Sequence, residues 1–163
     1  MAKPKYKKAP HSGKPKLGAT VNAGQPKTMV NPPTYDAQKV SWQFSHLDLE
    51  HEEWGWSKLE AAECWGLFTA GHLRHIESMT WSEVKAAAGG RNNGTNSHSI
   101  ATDTLPAAVQ ERLVDLKLDD LDAIFSLRLT GTLRIIGFQV GSAFKILWHD
   151  PNHTVCPSKK RHT

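Results

Sequence analysis

Ala123-Ile124-Phe125-Ser126-Leu127-Arg128-Leu129, Leu133-Arg134-Ile135-Ile136-Gly137-Phe138-Gln139-Val140 and Ala143-Phe144-Lys145-Ile146-Leu147-Trp148-His149 follow one another closely in the chain. Thr130-Gly131-Thr132 and Gly141-Ser142 separate them. Apolar runs of this length, bounded by Gly, Ser and Thr, read as a three-stranded antiparallel meander. Successive side chains of a strand point to opposite faces, so alternation sorts them. One face collects Phe125, Leu127, Leu129, Leu133, Ile135, Phe144, Ile146 and Trp148, and is a core. The other collects Arg128, Arg134, Lys145 and His149 among Ser126, Ile136, Phe138 and Leu147.

Pairing sharpens the second face. A two-residue turn at Gly141-Ser142 predicts Val140 opposite Ala143, Phe138 opposite Lys145 and Arg134 opposite His149. A three-residue turn at 130–132 sets Arg128 opposite Arg134. Like charges directly opposite one another destabilise a sheet. A polyanion lying across them would remove that penalty. The plainer alternative is a solvated polar face, which antiparallel sheets commonly keep.

The bulk numbers set bounds. A chain of 163 residues suggests one domain. No apolar run approaches the roughly 20 residues that span a bilayer. The N-terminus lacks the apolar stretch of a signal peptide. Cys64 and Cys156 lie far apart, which is no disulfide framework and fits a reducing, cytoplasmic setting. Charge runs basic, acidic, basic. Residues 1–35 hold seven Lys and no acid, and residues 36–122 hold seven Lys/Arg against fifteen Asp/Glu. Residues 124–163 hold six Lys/Arg against Asp150 alone, so the meander sits in a segment suited to a phosphate backbone.

Residues 1–38 are rich in Lys and Pro and poor in large apolar side chains, and read as a disordered basic arm. Residues 158–163 form a basic tail. Between them, 39–157, lies the folded domain. Val40–Leu47 alternates as a strand, and Asp48–Trp54 is an acidic loop. Ser57-Lys58-Leu59-Glu60 matches a capping box, with a helix running to about Ser78. Its expected stripe is Leu59, Ala62, Trp65, Phe68 or Thr69, Leu73 and Ile76. Thr80-Trp81-Ser82-Glu83 is a second capping box, opening a short helix that Gly89-Gly90 ends. Gly89–Thr104 reads as a loop, and Pro106–Leu116 as a third helix. The expected fold is α+β: a four-stranded antiparallel sheet in β-α-α-α-β-β-β order, with the helices on its apolar face. The Arg/His face is then left open to a ligand.

This layout resembles the RelE/YoeB/HigB group of bacterial toxins over about residues 40–157. Arg128-Leu129-Thr130-Gly131-Thr132-Leu133-Arg134 is similar to the R-L-x-G-x-x-R stretch that enters their central hairpin. Phe144–His149 followed by His153 is similar to their last core strand, which ends in His or Tyr. The resemblance implies a small ribonuclease that cuts messenger RNA, usually on the ribosome, and that an antitoxin neutralises. This chain departs from the pattern in its basic arm, its loop at 89–104 and the absence of a terminal Tyr. No Glu base stands on the meander.

Metal-free ribonuclease chemistry needs a base for the 2′-hydroxyl, an acid for the leaving 5′-oxygen and cations for the phosphorane. Arg128 and Arg134 can hold phosphate oxygens in fork geometry. His149 or His153 can act as acid or base, and a neighbouring guanidinium would hold either imidazole neutral. Lys145, Lys159, Lys160 and Arg161 are candidate RNA contacts. No cofactor is expected. His149, His153 and Cys156 have a spacing that could hold a metal, but no fourth ligand is evident, so none is assigned. Each residue also has an ordinary role: Arg134 can pair with Asp150 or Asp122, His149 can cap a strand, and His153 belongs to a turn. Trp42, Trp65, Trp81 and Trp148 read as core aromatics, and Trp54 and Trp56 as a loop that closes over the core. His72 and His75 share one helix face and read as a partly buried polar edge. Two further readings stay open: a non-catalytic RNA- or DNA-binding module on the same fold, and a partner-binding protein that uses the sheet face.

Overall fold

The chain folds into a five-stranded sheet: β1 (Ser41–Gln43), β2 (His98–Ala101), β3 (Ala123–Arg128), β4 (Arg134–Val140) and β5 (Ala143–Asp150). This computed structural model describes residues 33–69, 72–87 and 96–157. The spatial order is β1-β5-β4-β3-β2. The meander of β3, β4 and β5 is antiparallel, as alternation and turn chemistry predict. The sheet as a whole is mixed, because β1 pairs with β5 in parallel. It is therefore not the expected four-stranded antiparallel sheet. The fifth strand, β2, comes from the stretch read as a loop and pairs antiparallel with β3. Gly, Asn and Ser around it mask a four-residue edge strand with clean alternation of burial.

Helices cover both faces, which corrects the second expectation. On the first face lie α2 (Ala61–Thr69), α3 (His72–Ser78) and α4 (Trp81–Ala86), after a short α1 (Pro33–Asp36). Their Leu67, Leu73, Ile76, Trp81 and Val84 pack on Phe125, Leu127, Ile135, Phe144 and Ile146. On the second face, α5 (Ala107–Asp115) places Val109 and Leu113 against Ile124, Ile136, Phe138, Leu147 and Trp148. The reason was in the strands: the face that carries the arginines also carries large apolar side chains, which need a cover. α1 lies within the stretch read as a disordered arm. The rest of that arm, up to residue 32, and residues 158–163 fall outside the described residues. No helix among the described residues is long and apolar enough to cross a membrane.

Local signals fared unevenly. Thr80 forms its capping box: Thr80 Oγ1 accepts from Glu83 N–H, and the Glu83 carboxylate accepts from Thr80 N–H. Pro106 caps α5. Ser57 does not cap a helix. Its hydroxyl donates to the Leu49 carbonyl, Trp56–Lys58 forms a 3-10 turn, and α2 begins only at Ala61. Trp65 is 69% exposed, so it is no core aromatic. Trp54 and Trp56 do close over the core, with Trp54 stacked on His51 and Trp56 Nε1 donating to the Leu147 carbonyl.

Two features fix the second face. The β4–β5 register shifts between Ile136 and Gly137, with Gly137 opposite Ile146 and Ile136 opposite Trp148. Leu147 is the surplus residue, a β-bulge. A side chain on Gly137 would overlap the Lys145 carbonyl and the tip of the Phe144 ring. The second feature is Asp48, 2% exposed. Its carboxylate accepts from Arg112 Nε and an Arg112 terminal nitrogen at 2.8 and 2.7 Å, and from Trp148 Nε1 at 2.8 Å. It therefore ties the 48–56 loop to α5 and to β5.

Gly137→Ala should destabilise the fold by about 1–3 kcal/mol or more, as overpacking of a closed interior does. Chemical denaturation checks this, and an unchanged midpoint would refute the assigned contact. Asp48 carries a pH signature. Burial alone would raise its pKa, but hydrogen bonds from Arg112, Trp148 and the backbone outweigh that and hold it far below the usual range. The unfolded chain binds the proton first, so this stabilisation is full above pH ~4 and falls away as acid is added. Asp48→Ala should cost about 3–5 kcal/mol at pH 7, because Arg112 keeps only the longer pairs to Asp115 and Glu50 and the buried Trp148 indole loses its acceptor, with a smaller difference at pH 3.

Candidate functional site

The bulge decides which side chains meet. Before it, Phe144 and Ile146 face the first core, and Lys145 lies on the second side opposite Phe138. After it, Trp148 joins the second core, His149 lies opposite Ile135 and Asp150 opposite Arg134. The expected Arg134–His149 pair is thus replaced by Arg134–Asp150. His149 sits on the other side of the sheet from both arginines, 5.8 Å from the Trp56 ring. Burial lowers its pKa, against the pull of Glu63 and Asp150. Lys145 is also apart from the arginines. It lies over Phe138 at 5.6 Å, four residues along β4 from Arg134, which is about 13 Å of strand. Lys159, Lys160 and Arg161 fall outside the described residues.

Arg128 and Arg134 are directly opposite each other, as the turn length predicts. Their pairing needs no external polyanion. Arg134 is buried, and one terminal nitrogen donates to the carbonyls of Thr130 at 3.1 Å and Leu133 at 3.0 Å. It braces the turn that it follows. Arg128 is half-buried, with Nε on the Thr130 carbonyl and a terminal nitrogen on Asn96 Oδ1. Asp150, fully buried, completes the cross-strand row. Burial, then the Arg128 charge, lower the pKa of Arg134, and Asp150 opposes them.

The neighbouring row contributes residues that sequence reasoning missed. His98 of β2 lies opposite Ser126 of β3, on the same face as the arginines. Among the described residues, His98 Nδ1 and Ser126 Oγ are buried with no hydrogen-bond partner. Leaving such a group unpaired costs about 1–3 kcal/mol, so two side by side mark a strained polar pocket. The only prior signal for His98 was its place in an alternating His98-Ser99-Ile100-Ala101 run, hidden in a loop-like composition.

His153 reaches the same site from the C-terminal turn. Asp150 organises that turn: its carboxylate accepts from the backbone N–H of Thr154 at 2.9 Å and of Val155 at 3.0 Å. Thr154 Oγ1 accepts from Trp54 Nε1 and donates to Glu53. His153 is thereby held at φ 59°, in the left-handed region that non-glycine residues rarely take. Strain of this kind tends to collect where function constrains the backbone. His98 and His153 line one cavity of about 520 Å³. Burial first, and Arg134 second, lower the pKa of each. Both imidazoles are therefore biased toward their neutral form. Cys156 lines the same cavity, and burial pushes its thiol up to about 12, which leaves it unreactive. Among the described residues no three His, Cys, Asp or Glu side chains stand together as metal ligands.

The site is thus a cavity lined by two imidazoles whose pKa values are lowered, with the Ser126 hydroxyl across the strand pair from His98 and the Arg134 charge acting on both rings. Of the four predicted catalytic residues, His153 lines this cavity and Arg134 acts on it through its charge, while Arg128 lines a separate cavity with His72 and His75 and His149 is left out. Comparison with known proteins adds no assignment: no family model, no curated protein and no solved structure matches the chain.

His98 and His153 should titrate below pH 6.5 in the folded protein, read from their imidazole NMR signals. The unfolded chain takes up those protons first. Stability present above pH 6.5 should therefore fall as pH drops through the window down to the depressed values. The slope should shrink when both residues are replaced by Asn, which also tolerates the backbone of residue 153. Titration of either imidazole above 6.5 would contradict the burial described.

Proposed function

We propose that this chain is a metal-independent endoribonuclease, with an acid–base pair formed by His98 and His153. The observation that carries the reading is the meeting of these two imidazoles around one cavity, under the charge of Arg134. In the reaction the 2′-hydroxyl attacks the adjacent phosphate. One neutral imidazole accepts its proton. The other must donate to the leaving 5′-oxygen, and the bound phosphate supplies the means: a nearby anion favours the imidazolium. Arg128 is half-buried, bonds the Thr130 carbonyl and Asn96, and lines a neighbouring cavity with His72 and His75, so in this reading it holds the RNA backbone next to the scissile phosphate. Arg134 is engaged on turn carbonyls, so its part is to hold the turn and lend charge.

The resemblance to the RelE/YoeB/HigB toxins agrees with this reading through the Arg128–Arg134 stretch and His153. On that basis the substrate is messenger RNA, on the ribosome or free, and an antitoxin protein is the regulating partner. The site departs from the sequence expectation, which offered His149 or His153, in pairing His153 with His98.

A second reading has one observation in its favour. Because Arg134 bonds its own turn and both imidazoles are biased toward their neutral form, the site could bind RNA without cutting it.

Purified protein and labelled single-stranded RNA separate the two. His98→Asn and His153→Asn should each slow cleavage by about 10²–10⁴, while His149→Asn should leave the rate nearly unchanged. Arg128→Ala should weaken binding and flatten its salt dependence. The pH optimum of kcat/KM should lie below 6.5, because both pKa values are depressed. Binding without cleavage selects the second reading, and cleavage that survives loss of both histidines refutes the assigned pair.

A further inference from the structure

We infer that the cavity between β2, the 104–106 turn and the C-terminal turn is a nucleobase subsite, so that the substrate is single-stranded RNA with one base turned out beside the scissile phosphate. The inference rests on the endoribonuclease reading for its ligand class, and on separate geometry for its place.

The walls argue for a flat, apolar-faced ligand. Ile100, Leu105, Pro106 and Pro157 supply apolar surface on several sides. Such walls suit no phosphate, which would lose its hydration against them. The cavity volume of about 520 Å³ lies within the range of about 300–1,000 Å³ typical of small-molecule sites. A nucleobase also has polar edges, and the cavity meets that need sparingly. The imidazoles of His98 and His153 line it, and both offer a ring face for stacking and a ring nitrogen for hydrogen bonding. His98 Nδ1 lacks a partner among the described residues.

Position then links base to chemistry. His98 and His153 line the cavity and both feel the Arg134 charge, so a base held there brings its own sugar and phosphate toward that charge. A base inside a duplex could not enter. Taking it out of a stack costs a few kcal/mol, least when the strand is already single. Double-stranded RNA is thereby disfavoured without any contact that reads strandedness.

Two measurements on the full chain test the subsite apart from the reaction. The four ribonucleosides, which carry no phosphate, are titrated while the imidazole signals of His98 and His153 are followed. At least one nucleoside should shift both signals saturably. Second, single-stranded RNA is compared with the same strand carrying an abasic ribose, its 2′-hydroxyl kept, at the cleavage position. The abasic strand should bind about tenfold more weakly or worse, within the range of about 1–3 kcal/mol measured for one stacked base. Thr104→Trp, from an exposed position at the cavity, should abolish the nucleoside shifts and leave the abasic strand's affinity unchanged. Nucleosides that leave both imidazoles unmoved, with equal binding of intact and abasic strands, would overturn the subsite even if RNA is cleaved. Nucleoside shifts in a protein that cuts no RNA would uphold the subsite and remove the endoribonuclease reading.

Discussion

A single surplus residue in β5 determines which chemistry shares a face. Without Leu147 as a bulge, strict alternation would send Trp148 to the first core and His149 to the side of the arginines. With it, Trp148 enters the second core and Asp150 arrives beside Arg134. The bulge is held by close approach at Gly137, where no side chain fits between β4 and the Lys145 carbonyl. Everything C-terminal to it inherits the shift. The buried Asp150 carboxylate gathers the Thr154 and Val155 amides, and the tight turn this makes carries His153 back to the cavity. A residue without chemistry of its own therefore assembles the site.

The second face has to be both a core and a site, and the division runs along the strands. Toward one end, Ile124, Ile136, Phe138, Leu147 and Trp148 lie under α5 and Trp54. Toward the other, the row Arg128, Arg134 and Asp150 brings two cations and one anion together. Asp48 couples the two ends. It joins Arg112 of α5 to the Trp148 indole, and the loop it begins brings Trp54 onto Thr154, one residue past His153. Packing of the core and placement of the turn that carries His153 are thus one structural problem. A change that loosens α5 would be expected to reach His153 through that chain of hydrogen bonds.

The meander, its turns, the Thr80 capping box and the Pro106 helix start were legible because each depends on neighbours in sequence. What escaped depends on contacts far apart. Nothing local reveals that β1 runs parallel to β5, or that His98-Ser99-Ile100-Ala101 finds an edge to pair with. Ser57 satisfied a helix-start pattern, yet its hydroxyl found the Leu49 carbonyl eight residues back. Trp65 fell on a helical stripe but lies outside the contact, because α2 buries Leu67 instead. The bulge did leave a trace. Ile146-Leu147-Trp148 breaks alternation with three large apolar residues in a row, which a strand with two buried faces tolerates and a one-sided strand does not. The same trace sits in Ile135-Ile136. Taken together they say that both faces of the sheet are covered, and from that His149 could not have been assigned by counting.

The electrostatics of the site have one further consequence. Burial and guanidinium charge both favour the neutral form of each imidazole. A phosphodiester brings the opposite charge and offsets the guanidinium effect where it binds, so the pKa of the nearer imidazole must rise. In the proposed reaction, then, the substrate makes its own general acid. Two histidines that begin alike are driven apart by the ligand, and that separation is what acid–base catalysis at one phosphate requires.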